Sequence, residues 1–426
     1  MARVKAISSA AIIAVGSELL TPSKQDTNSL FITDRLNELG INVVEKAIVG
    51  DDRNELVHVF GDALAHVDLV VLSGGLGPTD DDVTREAVAI ALGRPLAEDE
   101  TITARLRARF IARGFTMPMP ENNRRQAMVP AGARVIENTR GSAPGLWIDH
   151  DERVVLLLPG PPRELKPMLS ALLDGSLRER ASGTPIVRRL VRVAGRIESQ
   201  VDEVLAPLYK EWAARTPPVA ATILATPGSI ELHLSIRHPS VEEARAALVR
   251  AVDEAVGAIG ADAYSIDGRL LEEIVGDLLV ERGLRIGVAE SCTGGLITSR
   301  LTDVPGSSRY LDASIVTYSN HSKTELLGVA ARMIDAHGAV SEPVALAMAD
   351  GIRSRAPADI GVGVTGIAGP SGGTPEKPVG TVAIAVTTAA ERRVRTFRFL
   401  GDRGQVKFQA AQSALDMVRR LLFDLR

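Results

Sequence analysis

The chain has 426 residues, a formal net charge of −4, 45% hydrophobic residues and only 3% aromatic residues, which calls for two or three domains of an Ala-, Val- and Leu-built α/β type. Without basic residues interleaved with aromatics, a nucleic-acid partner has no electrostatic footing. The single cysteine excludes an internal disulfide and agrees with a reducing cytoplasm, and no run approaches the roughly 18 apolar residues of a membrane span, so no membrane partner is expected. The first apolar run, residues 6–15, lacks a small-residue cleavage pattern and enters a glycine turn directly, so it reads as a core strand and not as a signal peptide.

Within that run, Ala10 to Val15 is expected to be a strand ending at Gly16-Ser17-Glu18, with a helix over Leu30 to Leu39. Val67 to Ser73 repeats the pattern. It opens into Gly74-Gly75-Leu76-Gly77-Pro78-Thr79-Asp80-Asp81-Asp82-Val83-Thr84, and a helix over Arg85 to Leu92 follows. A glycine turn with carboxylates at a strand's carboxyl end is where an α/β sheet receives an anionic ligand and its metal. Because bare carboxylates would repel a phosphate, a divalent cation is expected beside them. The plainer alternative is that Asp80 to Asp82 caps the following helix.

A central unit, Pro185 to Asp267, alternates a strand over Ile186 to Val193, a helix over Glu198 to Trp212, strands over Val219 to Leu224 and Ile230 to Arg237, and a helix over Val241 to Ile259. This β-α-β-β-α order describes a small α+β module without a catalytic constellation, whose expected role is spacing or dimer assembly. Turn-rich boundaries fall near Ala181-Ser182-Gly183-Thr184-Pro185 and Asp267-Gly268-Arg269. Three units are therefore expected, over residues 1–180, 185–267 and 268–426.

The last third carries the chemistry. A strand over Leu284 to Ala289 runs into Ala289-Glu290-Ser291-Cys292-Thr293-Gly294-Gly295, and helical spacing follows from Gly295 to Leu301. Such a strand-to-helix turn exposes a central hydroxyl and aims backbone N–H groups at whatever it attacks, while the glycines allow the backbone to approach a substrate oxygen. The alternative is an ordinary helix cap by Ser291 or Thr293. Downstream, the run Ser314 to Lys323 ends in a polar cluster that offers a base for the serine, either Lys323 or His321, the lysine on condition that burial or a neighbouring cation lowers its pKa. Tyr318 is placed to relay that proton or donate to the oxyanion, or else to pack at the strand end. Cys292 is the rival nucleophile, since a thiolate attacks more readily than a hydroxyl, although a lone cysteine is commonly a small apolar filler.

A third segment, Asp359 to Pro375, is a strand followed by a glycine-rich loop of the kind that cradles an anion with backbone amides. Gly361, Gly363 and Gly366 imitate a dinucleotide fingerprint, but Pro370 and Pro375 oppose the helix that fingerprint requires. An anion-binding or substrate-covering loop is expected instead.

These segments resemble the carboxy-terminal domain of the CinA family, the competence/damage-inducible proteins, over roughly residues 260–426. The resemblance rests on Ala289 to Gly295, Tyr318 to Lys323, Gly338-Ala339-Val340-Ser341, Thr365 to Pro370 and Thr374 to Val382. Members of this type deamidate nicotinamide mononucleotide. The resemblance implies Ser291 as nucleophile with Tyr318 and Lys323 handling protons. It also implies an oxyanion and substrate site at Cys292, Thr293, Gly294, Gly295, Asn320, Thr365, Gly366, Gly369 and Arg403, with Arg403, Lys407 or the loop from Gly366 to Gly373 taking the phosphate. No cofactor is expected for this amidase.

The first 180 residues resemble the molybdopterin-binding-like domain at the amino terminus of the same family. The matching stretches are Asp26-Thr27-Asn28, Gly74 to Thr84, Asn122 to Ala127, Gly141 to Gly145 and Leu158 to Glu164. Some members hydrolyse ADP-ribose there with a divalent metal. By that resemblance Glu18, Asn28, Gly74, Gly75, Gly77, Asn123 and Gln126 contact the ligand, and Asp81 and Asp82 hold the metal. Thr21-Pro22-Ser23-Lys24-Gln25 departs from the Gly-containing loop expected after Leu20.

The combined expectation is a cytoplasmic, homodimeric multidomain α/β hydrolase that converts nicotinamide mononucleotide to the acid and ammonia, feeding pyridine-nucleotide salvage. The alternatives are a metal-dependent ADP-ribose pyrophosphatase in the amino-terminal half, a pterin-cofactor binding protein without turnover, and a DNA-uptake accessory, which the acidic balance opposes.

Overall fold

The computed structural model describes residues 6–112, 114 and 118–424. The chain forms two compact units, Met1–Val187 with Arg237–Ala244, and Arg188–Ile236 with Arg245–Arg426.

The first unit is built on a six-stranded sheet. Its strands are β1 (Ser9–Val15), β2 (Asn42–Val49), β3 (Leu69–Ser73), β6 (Arg134–Ile136), β7 (Gly145–His150) and β8 (Arg153–Leu158), and a small hairpin of β4 (Leu96–Glu98) and β5 (Met128–Pro130) stands apart. The spatial order is β2-β1-β3-β8-β7-β6, parallel from β2 to β8 and antiparallel beyond.

The period of two along β1 sorts its side chains. Ala10 and Ile12 enter one core with Ile32 and Leu36 of α1 (Asn28–Glu38) and Leu165 and Leu169 of α5 (Pro162–Asp174). Ala11, Ile13 and Val15 enter another with Leu56 and Phe60 of α2 (Arg53–His66) and Ala87 and Val88 of α3 (Thr84–Ala91). Both faces of a parallel sheet are thereby buried, which is why these strands read as continuous apolar runs. The remaining helices of this unit are α4 (Glu100–Ala112) and the short α6 (Ser176–Arg180). Since the chain leaves β1 for β2 and returns across β1 to β3, the strand order reverses here. A crevice opens outside the carboxyl ends of β1 and β3, where such sheets bind ligands.

In the second unit, β9 (Ile186–Val193), β10 (Ala220–Thr226), β11 (Ser229–Arg237) and β12 (Ala263–Ser265) form a sheet in the order β10-β11-β9-β12, with α7 (Glu198–Ala214) and α8 (Val241–Ile259) between its strands in sequence. The expected β-α-β-β-α order is observed. Most of these residues, Arg188–Ile236 and those from Arg245 on, nonetheless group with the carboxy-terminal ones, while Arg237–Ala244 group with the first unit. Asp262 and Asp416 share Arg420 at 2.6 Å each, Arg196 also bonds Asp262, and Arg419 links Asp416 to the carbonyl of Ala261, both at 2.7 Å. Scattered arginines thus tie the module to the last helix.

The second sheet of this unit runs β14-β13-β15-β16-β17, comprising β13 (Ile286–Glu290), β14 (Leu311–Val316), β15 (Ile360–Gly366), β16 (Thr381–Thr387) and β17 (Arg392–Arg398). The first three are mutually parallel and the last two antiparallel. One face packs against α9 (Leu271–Arg282), α10 (Leu296–Thr302) and α14 (Arg403–Asp424). The other face meets α11 (Asn320–Leu327), α12 (Ala331–His337) and α13 (Glu342–Arg355).

The glycines that imitate a dinucleotide fingerprint serve this packing. A Cβ on Gly361 or Gly363 would fall 2.1 or 2.2 Å from the carbonyls of Ala349 and Ala345, so only glycine lets α13 lie this close to β15. No helix among the described residues is long and apolar enough to cross a membrane.

Candidate active site

The three sequence segments singled out for chemistry are the loops that leave β13, β14 and β15, three adjacent parallel strands whose carboxyl ends lie side by side. Topology therefore gathers at one sheet edge what the sequence spreads over eighty residues.

The loop after β13 is held by its own last strand residue. Glu290 is fully buried, and its Oε2 accepts from the amides of Gly295 (3.0 Å) and Ile297 (3.2 Å), while Oε1 accepts from the amide and hydroxyl of Thr298 (3.0 and 2.7 Å). A carboxylate thus satisfies the orphan donors at the start of α10. Gly294 and Gly295, with φ of 63° and 90°, make the left-handed bend that folds the loop back onto it. Gly294 N–H donates to the Ser291 carbonyl, whereas the amides of Cys292 and Thr293 face the Cys292 sulfur, a weak acceptor. The helix-cap alternative is accordingly answered: Glu290, not Ser291 or Thr293, caps the helix.

Ser291 and Cys292 face different surroundings. Cys292 packs in the core with Ile297, Val364 and Val382, and burial pushes its thiol up to about 12. That environment opposes a thiolate, so the rival nucleophile is set aside. Ser291 Oγ receives the Nζ of Lys323 at 3.1 Å. Lys323 sits one turn into α11, whose start is fixed by Ser319 accepting from the Ser322 amide at 3.0 Å. The lysine is 2% exposed, its second bond goes to the Thr317 carbonyl at 2.9 Å, and Thr317 N–H in turn donates to the carbonyl of Glu290 at 2.8 Å. Burial lowers the Lys323 pKa from its ordinary value, as a buried ammonium without a carboxylate partner requires. His321, the other candidate base, is exposed and pairs with Glu325.

Tyr318 is placed differently from expectation. It is 64% exposed, and its hydroxyl, expected to relay the serine proton or donate to the oxyanion, accepts from Arg403 Nη2 at 2.7 Å. Tyr318 lies two residues past the end of β14, and the guanidinium at the head of α14 is what meets it. Arg403 also donates to the Gly369 carbonyl at 2.6 Å, joining the loops after β14 and β15. Lys407, one turn along, brings its Nζ to within 3.7 Å of where a Cβ on Gly294 would stand.

Thr365 is buried and bonds the Ala339 carbonyl at 2.8 Å, and Gly366 leaves room for Cys292, whose sulfur would lie 2.9 Å from a Cβ there. Asn320 is exposed at the first turn of α11, bonded through its carbonyl to Thr324, and is not brought to Ser291. Thr293 Oγ is buried without a partner. Sequence reasoning gave no role to Glu290 or Thr317. The signal available for Glu290 was an acidic residue ending a strand that is otherwise wholly apolar.

In the first unit a cavity of about 610 Å³ occupies the crevice at β1 and β3 and is lined by Glu18, Asn28, Gly74, Gly75, Gly77, Asp81, Asp82 and Gln126, among others. Gly74, with φ of 108°, lies so close to β1 that a Cβ would stand 2.2 Å from the Val15 carbonyl. Asn123 is bonded to the Pro120 carbonyl and does not line this cavity.

The expected divalent metal finds no donor set there. Asp82 Oδ1 accepts from the Gly77 amide at 2.7 Å and Oδ2 from the Thr79 amide and hydroxyl at 2.9 and 2.6 Å. Asp82 therefore braces the turn, and α3 has no side-chain cap. Glu18 is paired with Lys24 at 2.7 Å. Among the described residues no group of three or more His, Cys, Asp and Glu side chains is disposed to hold a metal ion.

Known proteins and family models match both halves of the chain. Residues 269–422 match the family model described as CinA C-terminal domain, and residues 11–179 match the probable molybdopterin binding domain. A CinA-like protein of Koribacter versatilis is 48% identical over 417 residues, covering 97% of this chain and 99% of its own. A putative competence-damage inducible protein of Symbiobacterium thermophilum is 45% identical over 425 residues, with 97% and 98% covered. The crystal structure of competence/damage inducible protein CihA from Agrobacterium tumefaciens is 39% identical over 35% of this chain and 94% of that one, with a TM-score of 0.34. Such identity over nearly the whole length of both chains places this protein in the CinA family.

Proposed function

We propose that the carboxy-terminal unit is an amidohydrolase that converts nicotinamide mononucleotide and water to nicotinate mononucleotide and ammonia. The observation that carries the reading is the 3.1 Å contact between Ser291 Oγ and the Nζ of a buried lysine whose pKa is lowered. Neutral Lys323 takes the hydroxyl proton as Ser291 Oγ attacks the carboxamide carbon. The oxyanion forms beside the amides of Cys292 and Thr293, where one such donor is worth about 3 kcal/mol of barrier. The Lys323 ammonium returns the proton to the departing nitrogen, releasing ammonia and leaving an ester on Ser291. Water, deprotonated by the same lysine, then cleaves that ester.

The pyridinium charge already withdraws electrons from the carbonyl, so a hydroxyl nucleophile suffices. Arg403 and Lys407 are assigned to the nucleotide phosphate, and Tyr318 orients Arg403 through their hydrogen bond. The substrate identity, a cytoplasmic homodimer and the absence of a nucleic-acid partner are part of this proposal and rest on the sequence resemblance and the charge balance. Ammonia release from nicotinamide mononucleotide by the purified chain in excess chelator tests it. Turnover that survives chelation supports the reading, and a folded sample without turnover overturns it.

A further inference from the structure

The amino-terminal cavity departs from the metal site expected of it, and the departure has a definite chemical form. Thr21 to Gln25, the stretch that differs from the Gly-containing loop, turns back on itself: Thr21 Oγ donates to the Glu18 carbonyl at 2.7 Å and bonds Ser23 Oγ at 2.6 Å. The fold-back brings Lys24 Nζ to Glu18 Oε1 at 2.7 Å, inside the lining of the cavity. Asp81 is near enough for its charge to oppose ionisation of Glu18, while the lysine favours it and holds the carboxyl below its usual range. An ammonium therefore sits directly against Glu18, the carboxylate expected to contact the ligand or its metal, and both line the cavity with Asp81. The other carboxylates of the lining are already engaged. Asp26 accepts from the Ser29 amide, Asp51 from the Ser17 amide, Asp82 from Gly77 and Thr79, and Glu164 from Asn138.

An independent observation points to a ligand. Gln126 is 2% exposed and lines the cavity, yet its Oε1 is buried with no hydrogen-bond partner, its amide nitrogen being given to Ser142. Asn28, also in the lining, gives its nitrogen to the Gly160 carbonyl and leaves Oδ1 buried and unpaired. Two orphaned acceptors cost free energy until they meet O–H or N–H donors. Ribose hydroxyls or a base amino group supply such donors, and a phosphate supplies the partner for the ammonium. A cavity of about 610 Å³ is of the size that takes a nucleotide.

We propose that Lys24 stands in for the divalent cation, so that the amino-terminal cavity binds a phosphorylated nucleoside without a metal. The test is calorimetric titration of the full chain with ADP, in EDTA and in magnesium, alongside Lys24→Gln. Lys24 is half exposed, so its replacement leaves the fold intact, and unchanged amidase turnover checks this separately from the proposal. The expected result is an ADP affinity that agrees within about twofold between EDTA and magnesium, and that falls at least about tenfold in Lys24→Gln, the scale of one charge-assisted hydrogen bond. A second variant, Gln126→Leu, is expected to weaken ADP binding under both conditions. The proposal is overturned if ADP does not bind, if EDTA abolishes binding, if Lys24→Gln binds as the parent does, or if Arg403→Ala, in the amidase unit, weakens ADP binding as much as Lys24→Gln.

Discussion

Replacing Glu290 by glutamine is the sharpest probe of how the nucleophile's loop is held. The side chain is isosteric and fully buried, so nothing but hydrogen bonding and charge changes. Each carboxylate oxygen accepts from two donors: Gly295 and Ile297 amides on one, the Thr298 amide and hydroxyl on the other. Whichever way the new amide turns, its NH₂ confronts at least one backbone N–H. The cheaper orientation sets it toward Thr298, whose hydroxyl can rotate to accept, and leaves the Thr298 amide unpaired.

Losing one charge-assisted bond and stranding a buried donor costs about 2–4 kcal/mol. For a unit of this size that lowers the melting temperature by roughly 5–15 °C. As the amides of Cys292 and Thr293 are placed by the same loop, a displacement of the order of an ångström lowers kcat by up to about a hundredfold, with KM nearly unchanged. Thermal unfolding and ammonia release, measured on one preparation, read both effects. A variant that melts within about a degree of the parent and turns over at the parent rate would refute the reasoning.

Lys323→Met removes a buried ammonium. Burial lowers the folded pKa below the unfolded one, so the folded state binds fewer protons between the two values and stability rises as pH climbs through that window. Below the folded pKa the parent carries the full cost, about 1.4 kcal/mol for each unit of lowering. The variant is expected to melt higher than the parent at pH 7, with the gap narrowing toward pH 10, and to lose turnover. By the same sign, kcat/KM of the parent should rise with pH as Lys323 becomes neutral. Gly366→Ala sets a Cβ 2.7 Å from Val382 and 2.9 Å from the Cys292 sulfur, an overpacking of about 1–3 kcal/mol in denaturant unfolding; combining it with Cys292→Ala should recover part of the loss. Arg403→Ala should raise KM about tenfold or more and change kcat little, whereas a collapse of kcat alone would assign Arg403 to the chemistry instead of the phosphate.

Period and turn chemistry made much of the architecture readable. The apolar runs at Ala10 and Val67 and the glycine turns after them fall where β1 and β3 end, because strands buried on both faces leave an unbroken hydrophobic signature. The order of the central module was equally legible, but its grouping was not. Arg196, Arg419 and Arg420 look like scattered surface charges until Asp262 and Asp416 draw them together.

In the candidate site, Ser291 and Lys323 were named because a hydroxyl needs a base. Glu290 stands in the same motif and went without a role, since the donors it serves come into reach only when the glycines reverse the chain. Tyr318 was misplaced for a related reason: its partner Arg403 lies 85 residues away, and no local pattern announces it. In the amino-terminal unit the acidic run suggested a metal, whereas the fold spends Asp82 on its own turn and covers Glu18 with Lys24.

The central claim is that Ser291 Oγ attacks while Lys323 takes its proton. Steady-state ammonia release from nicotinamide mononucleotide by Ser291→Ala and Cys292→Ala, side by side in chelator, tests it most directly. The account predicts that the serine variant loses at least about a thousandfold in kcat while remaining folded, and that the cysteine variant stays within a few fold of the parent. Turnover retained by Ser291→Ala, or lost only in Cys292→Ala, would contradict it.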